Sequence, residues 1–285
     1  MNYYNAEDLK KLQKVELSIL LNFDEVCQLL GLTYWLDGGS ALGAIRHGGF
    51  IPWDDDVDVG MMRDDYDSFK EKAPAILAKK GLFLQDIGTD QYTAFNYIKI
   101  RKDNTAFVEY CNRKSKMHKG IYIDVFPYDK IPKEQQQKIR YLKSIKKWQL
   151  FWDVHQTPDI SEQPSTIKGY IIASLRRIAY YIFRIIPMSV ISNKMNLLCR
   201  KYYTLSDSFV GYVCSDKCYY TDFRWNDFLP VVYVQFEGNQ LPVPANVDGF
   251  LKKCYGEYTI LPDKSKQYGH RPYFFSFDCD NDTFR

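Results

Sequence analysis

The chain has 285 residues, 46 % of them hydrophobic and 26 % charged, with a formal net charge of +3. That balance excludes a disordered chain, and the length allows one large domain or a core domain with a helical addition. No apolar run reaches the roughly 18 residues needed to cross a bilayer, and no signal-peptide pattern opens the chain, so the expected address is cytoplasmic, with the inner face of the membrane as the alternative.

Ala6 to Leu30 reads as an amphipathic helix, because Leu9, Leu12, Val15, Ile19, Phe23, Val26 and Leu30 recur at steps of three and four. Asn5 can cap its start and Gly31 its end. Thr33 to Asp37 is the first expected core strand, followed by a Gly-Gly-Ser turn and a short helix from Ser40 to His47. Asp56 to Met61 is the second strand. Asp64 to Lys80 reads as one helix with acids in front, lysines behind and Gly81 as its stop. Phe83 to Asp86, Phe95 to Arg101, Ala106 to Tyr110 and Ile121 to Phe126 continue the sheet. Lys133 to Asp153 is a basic helical stretch, and Pro158 to Pro164 is a polar break. Thr166 to Tyr203 is a helical pair broken at Pro187; it carries Lys168, Arg176, Arg177, Arg184, Lys194, Arg200 and Lys201 and no acidic residue. Arg224 to Leu229 and Leu241 to Pro244 resemble late strand-and-turn elements, Val247 to Tyr255 a short helix, and Tyr258 to Arg271 a polar loop.

Strands flanked by helices give an α/β or α+β core, and α+β with a mixed sheet is the class expected. The expected division is 1–130 for a catalytic core, 131–205 for a helical basic insertion, and 206–285 for a part completing the core. The basic insertion has two readings: a cap over the active site with a solvated basic face, or a segment lying on an anionic membrane through 166–203. Nucleic acid is not an expected partner, since no basic, aromatic-lined sheet is present. Seven cysteines are scattered. Cys214 and Cys218 form a CxxxC pair with no second pair at zinc-finger spacing, so reduced structural thiols are expected and zinc is the alternative.

The chemistry concentrates between Leu36 and Met61. Asp56 and Asp58 alternate with Val57 and Val59, so on a strand both carboxylates would point to one face and both valines into a core. Such a pair repels itself unless a cation lies between, and Mg²⁺ with a phosphate substrate is the usual solution. Asp54 and Asp55 read as loop-shaping or outer hydrogen-bonding acids. Gly39 and Ser40 offer backbone N–H groups to a phosphate, and Gly38 serves the turn. Asp124 sits in the apolar run Ile123-Asp124-Val125, where a lone carboxylate is expensive to bury without a cation or donors. Arg46 reads as a phosphate clamp or as an ordinary surface arginine. Lys99 and Arg101 share a strand face, as a charge pair or as phosphate-neutralising cations. Trp53 and Trp35 flank the acids and could stack on a base or a cationic head group, with core packing the default.

A Gly-Ser turn, a short helix and Asp-x-Asp on a strand resemble the polymerase-β-like nucleotidyltransferase superfamily. The fuller string, GSALGAIRHGGFIPWDDDVDVGM from Gly39 to Met61, resembles the LicD family in particular. Gly120 to Pro127, and Lys99 to Lys102 with Thr105 and Phe107, fit the same family. The likeness is close from Tyr34 to Asp129 and weaker to Tyr268; Gln135 to Tyr203 carries no family motif. It implies transfer of a phospho-alcohol, phosphocholine foremost, from a CDP-activated donor to a hydroxyl of a surface glycan such as teichoic acid or lipopolysaccharide, or of a lipid-linked glycan, releasing CMP. It further implies Mg²⁺, or Mn²⁺, held by Asp56 and Asp58 with Asp124 as third ligand or as base. Lys99 and Arg101 would meet the diphosphate or the leaving CMP, and His270 would act as proton donor or phosphate contact. The competing reading is a nucleotidyltransferase that adds NMP to a small molecule and releases pyrophosphate. Choline, ethanolamine, ribitol and glycerol all stay open as the alcohol.

Overall fold

The first helix, α1 (Ala6–Leu30), starts where its periodicity predicts: the Asn5 side chain accepts the Asp8 amide at 2.8 Å, and Gly31 closes it with φ 66°. The computed structural model describes residues 5–161, 163–214, 222–270 and 272–279. In chain order the first seven strands are β1 (Trp35–Leu36), β2 (Asp58–Met62), β3 (Leu82–Gln85), β4 (Ile98–Lys102), β5 (Ala106–Val108), β6 (Tyr122–Ile131) and β7 (Phe209–Gly211). All but β5 join one six-stranded sheet, ordered β1-β2-β6-β4-β3, with β7 on the far end of β6. β2 and β6 run parallel and the other neighbours antiparallel. The protein is thus α+β with a mixed sheet, as its sequence predicts.

Three short helices shape the front half. α2 (Gly38–His47) follows β1 directly, and α3 (Arg63–Lys72) follows β2. The single helix expected over Asp64 to Lys80 divides here. Pro74 lacks the N–H that would continue the ladder, so it opens a separate α4 (Pro74–Ala78). Arg63 pins α3 to the sheet through a fork on Asp129, Nε to Oδ1 at 2.7 Å and Nη2 to Oδ2 at 2.6 Å.

The middle third is helical as expected: α5 (Gln135–Gln156), α6 (Ile167–Phe183) and α7 (Met188–Cys199), with Pro187 capping the last. Tyr141, Ile145 and Trp152 of α5 and Ile191, Met195 and Cys199 of α7 are buried in the same apolar core as the sheet. The Trp152 indole donates to the Ala94 carbonyl at 3.0 Å. α6 contributes only Ala173 to the buried set.

Four later elements depart from expectation. Arg224 to Leu229 is not a strand and turn; it holds a one-turn helix, α8 (Trp225–Phe228). A hairpin, β8 (Val232–Phe236) and β9 (Asn239–Val243), turns on Glu237 and Gly238, both at positive φ, and takes in the expected Leu241 to Pro244 region. After α9 (Val247–Tyr255), the chain returns as β10 (Phe274–Ser276), which pairs with β5 in a two-stranded sheet of its own. β5 therefore does not extend the main sheet. Cys218 and Arg271 lie outside the described residues. Cys214 lies 3.6 Å, sulfur to sulfur, from Cys199. No helix among the described residues is long and apolar enough to cross a membrane.

Candidate active site

Asp37 carries the chain from β1 into α2. Its Oδ1 accepts the Gly38 amide at 2.9 Å, and the Tyr128 hydroxyl donates to its two oxygens at 2.9 and 2.8 Å. Burial pushes this carboxyl up to about 6, against the pull of those donors. The Gly-Gly-Ser stretch is therefore the first turn of a helix, not a turn ahead of one. Its glycines admit acids: a Cβ on Gly38 would stand 3.2 Å from Asp58 Oδ2, and one on Gly39 would stand 2.9 Å from Asp54 Oδ2. The N-terminus of α2, where a phosphate was expected, thus borders carboxylates, which its dipole also favours. The Ser40 hydroxyl accepts the Asp58 amide at 2.9 Å and locks the acid-bearing segment to the helix.

Asp56 lies ahead of β2, whose first residue is Asp58. The two acids do not sit two apart on one strand as expected. Strand register does the gathering. Parallel pairing sets Asp58 beside Asp124, and antiparallel pairing sets Lys99 on the other side of Asp124. The Lys99 ammonium contacts both Asp124 oxygens at 2.6 and 2.9 Å, and the Tyr97 hydroxyl donates at 3.4 Å. Lys99 Nζ also lies 3.4 Å from the Tyr122 ring centroid and 4.2 Å from that of Phe95. Burial drives the Asp124 carboxyl up and Lys99 draws it down; burial draws the Lys99 ammonium down and Asp124 raises it.

The acids outnumber the cations that face them. Burial, then Asp56 and Asp124, hold the Asp58 carboxyl well above the usual carboxylate range. Burial, then Asp56 and Asp55, push Asp54 up to about 8. Asp56 is likewise raised, by burial first, with His270 pulling the other way. A further acid belongs to this group and was not foreseen: Glu16 of α1, 2 % exposed, sits on the helix face that carries Leu12, Ile19 and Phe23. Burial first, and then Asp56, Asp55, Asp54 and Asp124, drive its carboxyl far up, and its Oε2 has no hydrogen-bond partner. An acid on an apolar helical stripe was the legible signal.

The predicted cations divide by environment. His270 is half-exposed; its backbone amide donates to Asp55 Oδ1 at 2.8 Å and its Nδ1 meets the same oxygen at 3.0 Å. That bond to Asp55 pushes the imidazole up to about 10, so it is an imidazolium at neutral pH. Asp55, Asp56 and His270 offer ligand atoms within 4.8 Å of one another. Arg101 is buried among structural partners, Gln85 Oε1 at 2.6 Å and the Gly120 carbonyl at 2.7 Å. Arg46 donates to the Tyr258 carbonyl at 2.8 Å from the last turn of α2, about 10 Å along the axis from Gly39. Trp53 is half-buried against the core and edge-on to His47, ring centroids 6.2 Å apart, while Trp35 is wholly buried against Tyr128 and Phe228.

A cleft of about 650 Å³ has Tyr97, whose hydroxyl reaches Asp124, in its wall. Its walls include Phe95, Tyr97, Phe126 and Tyr212, with Glu109 from the turn after β5 and Asp153 from α5. Phe126 and Tyr212 stack with centroids 4.6 Å apart, and Tyr97 meets Phe126 edge-on at 4.9 Å.

Comparison with known proteins identifies the family of the chain. Residues 31–155 match the family model described as LicD/FKTN/FKRP, nucleotidyltransferase domain, which takes in α2, the four aspartates Asp54, Asp55, Asp56 and Asp58, and β6 with Asp124. The chain is 30 % identical over 280 residues to the lipopolysaccharide cholinephosphotransferase LicD of Haemophilus influenzae, a match spanning 92 % of this chain and 95 % of that protein. It is 34 % identical over 84 residues to human ribitol 5-phosphate transferase FKRP, which covers 26 % of this chain and 17 % of that protein. The chain is a transferase and belongs to the LicD family.

Proposed function

We propose that the protein transfers phosphocholine from a CDP-activated donor to a hydroxyl of a cell-envelope glycan of the lipopolysaccharide or teichoic acid kind, or of its lipid-linked form, with release of CMP. The observation that carries the reading is the side-by-side register of Asp58 and Asp124, next to Asp56 and a buried Glu16 whose Oε2 has no partner. Burying this many carboxylates against Lys99, Arg101 and His270 is costly, and a divalent cation would relieve it. Asp56 and Asp58 would hold Mg²⁺, or Mn²⁺, with Asp124 as third ligand or as base, on a polymerase-β-like nucleotidyltransferase core, with Glu16 within reach of its field. When bound, such an ion neutralises charge on a diphosphate and on the departing CMP.

The chain's own groups supply the rest. Amide N–H groups at Gly39 and Ser40 are suited to a phosphate oxygen, since the first turn of a helix leaves them without intrahelical partners. Lys99 draws the Asp124 carboxyl down against the upward push of burial. Asp124 can then accept the proton of an attacking hydroxyl. His270 adds a positive charge at the rim. Choline is favoured among the alcohols because the cleft that holds Tyr97 joins four aromatic rings to Glu109 and Asp153, two acids against Arg176 in the same wall, a balance that suits a quaternary ammonium. The named activity of the Haemophilus relative supports the same choice.

The test is to incubate the protein and Mg²⁺ with CDP-choline, CDP-ethanolamine, CDP-ribitol and CDP-glycerol, each with a glycan acceptor. CMP from CDP-choline above the others is the expected result. Pyrophosphate from CTP or ATP, with no CMP from any of the four, would support the nucleotidyltransferase instead.

A further inference from the structure

The helix α6 has its packed side and its open side the wrong way round for a soluble protein. Ala173 is its one buried residue among those described, and the same side makes the attachments to the body: the Arg176 Nε donates to the Thr157 carbonyl at 3.1 Å, and Phe183 packs on Phe151 with ring centroids 5.0 Å apart. Opposite that side runs an aliphatic stripe, Ile167, Ile171, Leu175, Ile178, Ile182 and Ile185, spaced by three and four. Ile167 and Ile185 are 83 % exposed, Leu175 61 %, Ile178 and Ile182 57 %, and Ile171 55 %. Stripes of this width normally face a core. Among the described residues nothing is seen to cover it.

Lys168 and Arg184 lie at the two ends of α6, and Lys194 and Lys201 follow in the chain. Residues 166–203 include no Asp or Glu. Arg177 and Arg200 are engaged by Asp159 and Asp67, but Lys168, Arg184, Lys194 and Lys201 form no ion pair among the described residues. Tyr170 and Tyr181 stand exposed next to the stripe. A helix with an apolar face, flanking lysines and arginines, and edge tyrosines is built to lie in a headgroup layer. At 17 residues α6 is about 25 Å long and does not span a bilayer.

We propose that α6 docks the protein onto an anionic lipid surface, with its aliphatic stripe in the acyl boundary and Lys168, Arg184, Lys194 and Lys201 on the headgroups. A second copy of the chain is the rival occupant, and the charge disfavours it, because a two-fold pairing of α6 would bring like-charged lysines and arginines together. This docking stands apart from the choice of donor or acceptor above.

The experiment is co-sedimentation of the full chain with vesicles of phosphatidylcholine, alone or mixed with phosphatidylglycerol, beside light scattering of the protein without lipid. Two variants accompany it, Leu175→Ser with Ile178→Ser and Lys168→Glu with Lys194→Glu; all four positions are on the surface, and circular dichroism checks that both fold. Binding to the mixed vesicles is expected to fall roughly tenfold or more in the first variant and to lose its dependence on phosphatidylglycerol in the second. Equal binding by the first variant and the parent, no binding to mixed vesicles, or binding indifferent to phosphatidylglycerol in the parent would overturn the proposal. So would a dimer in the parent that the first variant converts to monomer.

Discussion

Lys99 and Asp124 depend on each other, since each is buried and each is the other's closest opposite charge. Lys99→Met should destabilise the protein by about 3 kcal/mol at neutral pH, because it leaves a buried carboxylate unmatched. Adding Asp124→Asn should recover much of that loss in urea titrations; purely additive costs would contradict the coupling. Glu16→Gln should act in the other direction. Removing the cost of an unpartnered buried carboxyl should raise the thermal midpoint in EDTA and shrink the further rise produced by Mg²⁺. A lower midpoint in EDTA would mean that Glu16 has a structural partner. Asp37 sets a pH dependence. Its carboxyl rises from 3.8 to about 6 on folding, so the folded state binds the extra proton between those values. The stability this contributes is full below 3.8 and is lost as pH rises through about 6, by roughly 3 kcal/mol. Asp37→Asn keeps a capping side chain and should flatten that part of the stability–pH curve.

At the scale of elements, close approach makes α2 intolerant of side chains. A Cβ on Gly43 would lie 2.4 Å from the Gly49 carbonyl oxygen, backbone against backbone. Gly43→Ala should therefore cost about 2 kcal/mol or more in chemical denaturation, whereas Gly48→Ala meets no atom and is penalised only by its positive φ. Elements whose cause is local were legible in the sequence. α1 matched its periodicity and both caps, and α9 its short amphipathic pattern. Elements whose cause is distant were not. β5 pairs with β10, whose chain position is more than 160 residues away, and no local pattern announces that partner. Asp37 read as the end of a strand because its donor, Tyr128, lies on another strand 91 positions on. Glu16 was legible as an acid on an apolar stripe and was passed over because a single polar residue on such a face is easily taken for the helix margin. The sequence offered a solvated or membrane-lying face for 166–203, but apolar residues occur on more than one side of α6, so its pattern alone does not say which side meets the body.

For the whole molecule, the sheet gathers residues far apart in the chain. Asp58, Lys99 and Asp124 become neighbours only through the order β2-β6-β4, with α1 bringing Glu16 from one end and the segment after α9 bringing His270 from the other. Through Asp153 and Thr157 the helical middle third walls the cleft that holds Tyr97, and it turns the apolar side of α6 outward. One molecule thus offers an acid-rich centre, an aromatic cleft and an outer basic helix. The measurement that tests the central claim most directly is phosphorus NMR of a glycan acceptor incubated with CDP-choline and Mg²⁺, using the parent protein and an Asp56→Asn, Asp58→Asn variant. The account predicts a new phosphodiester signal and equal CMP with the parent, and at least about a hundredfold less of both with the variant or with EDTA. A phosphodiester formed at the parent's rate by the variant would contradict it.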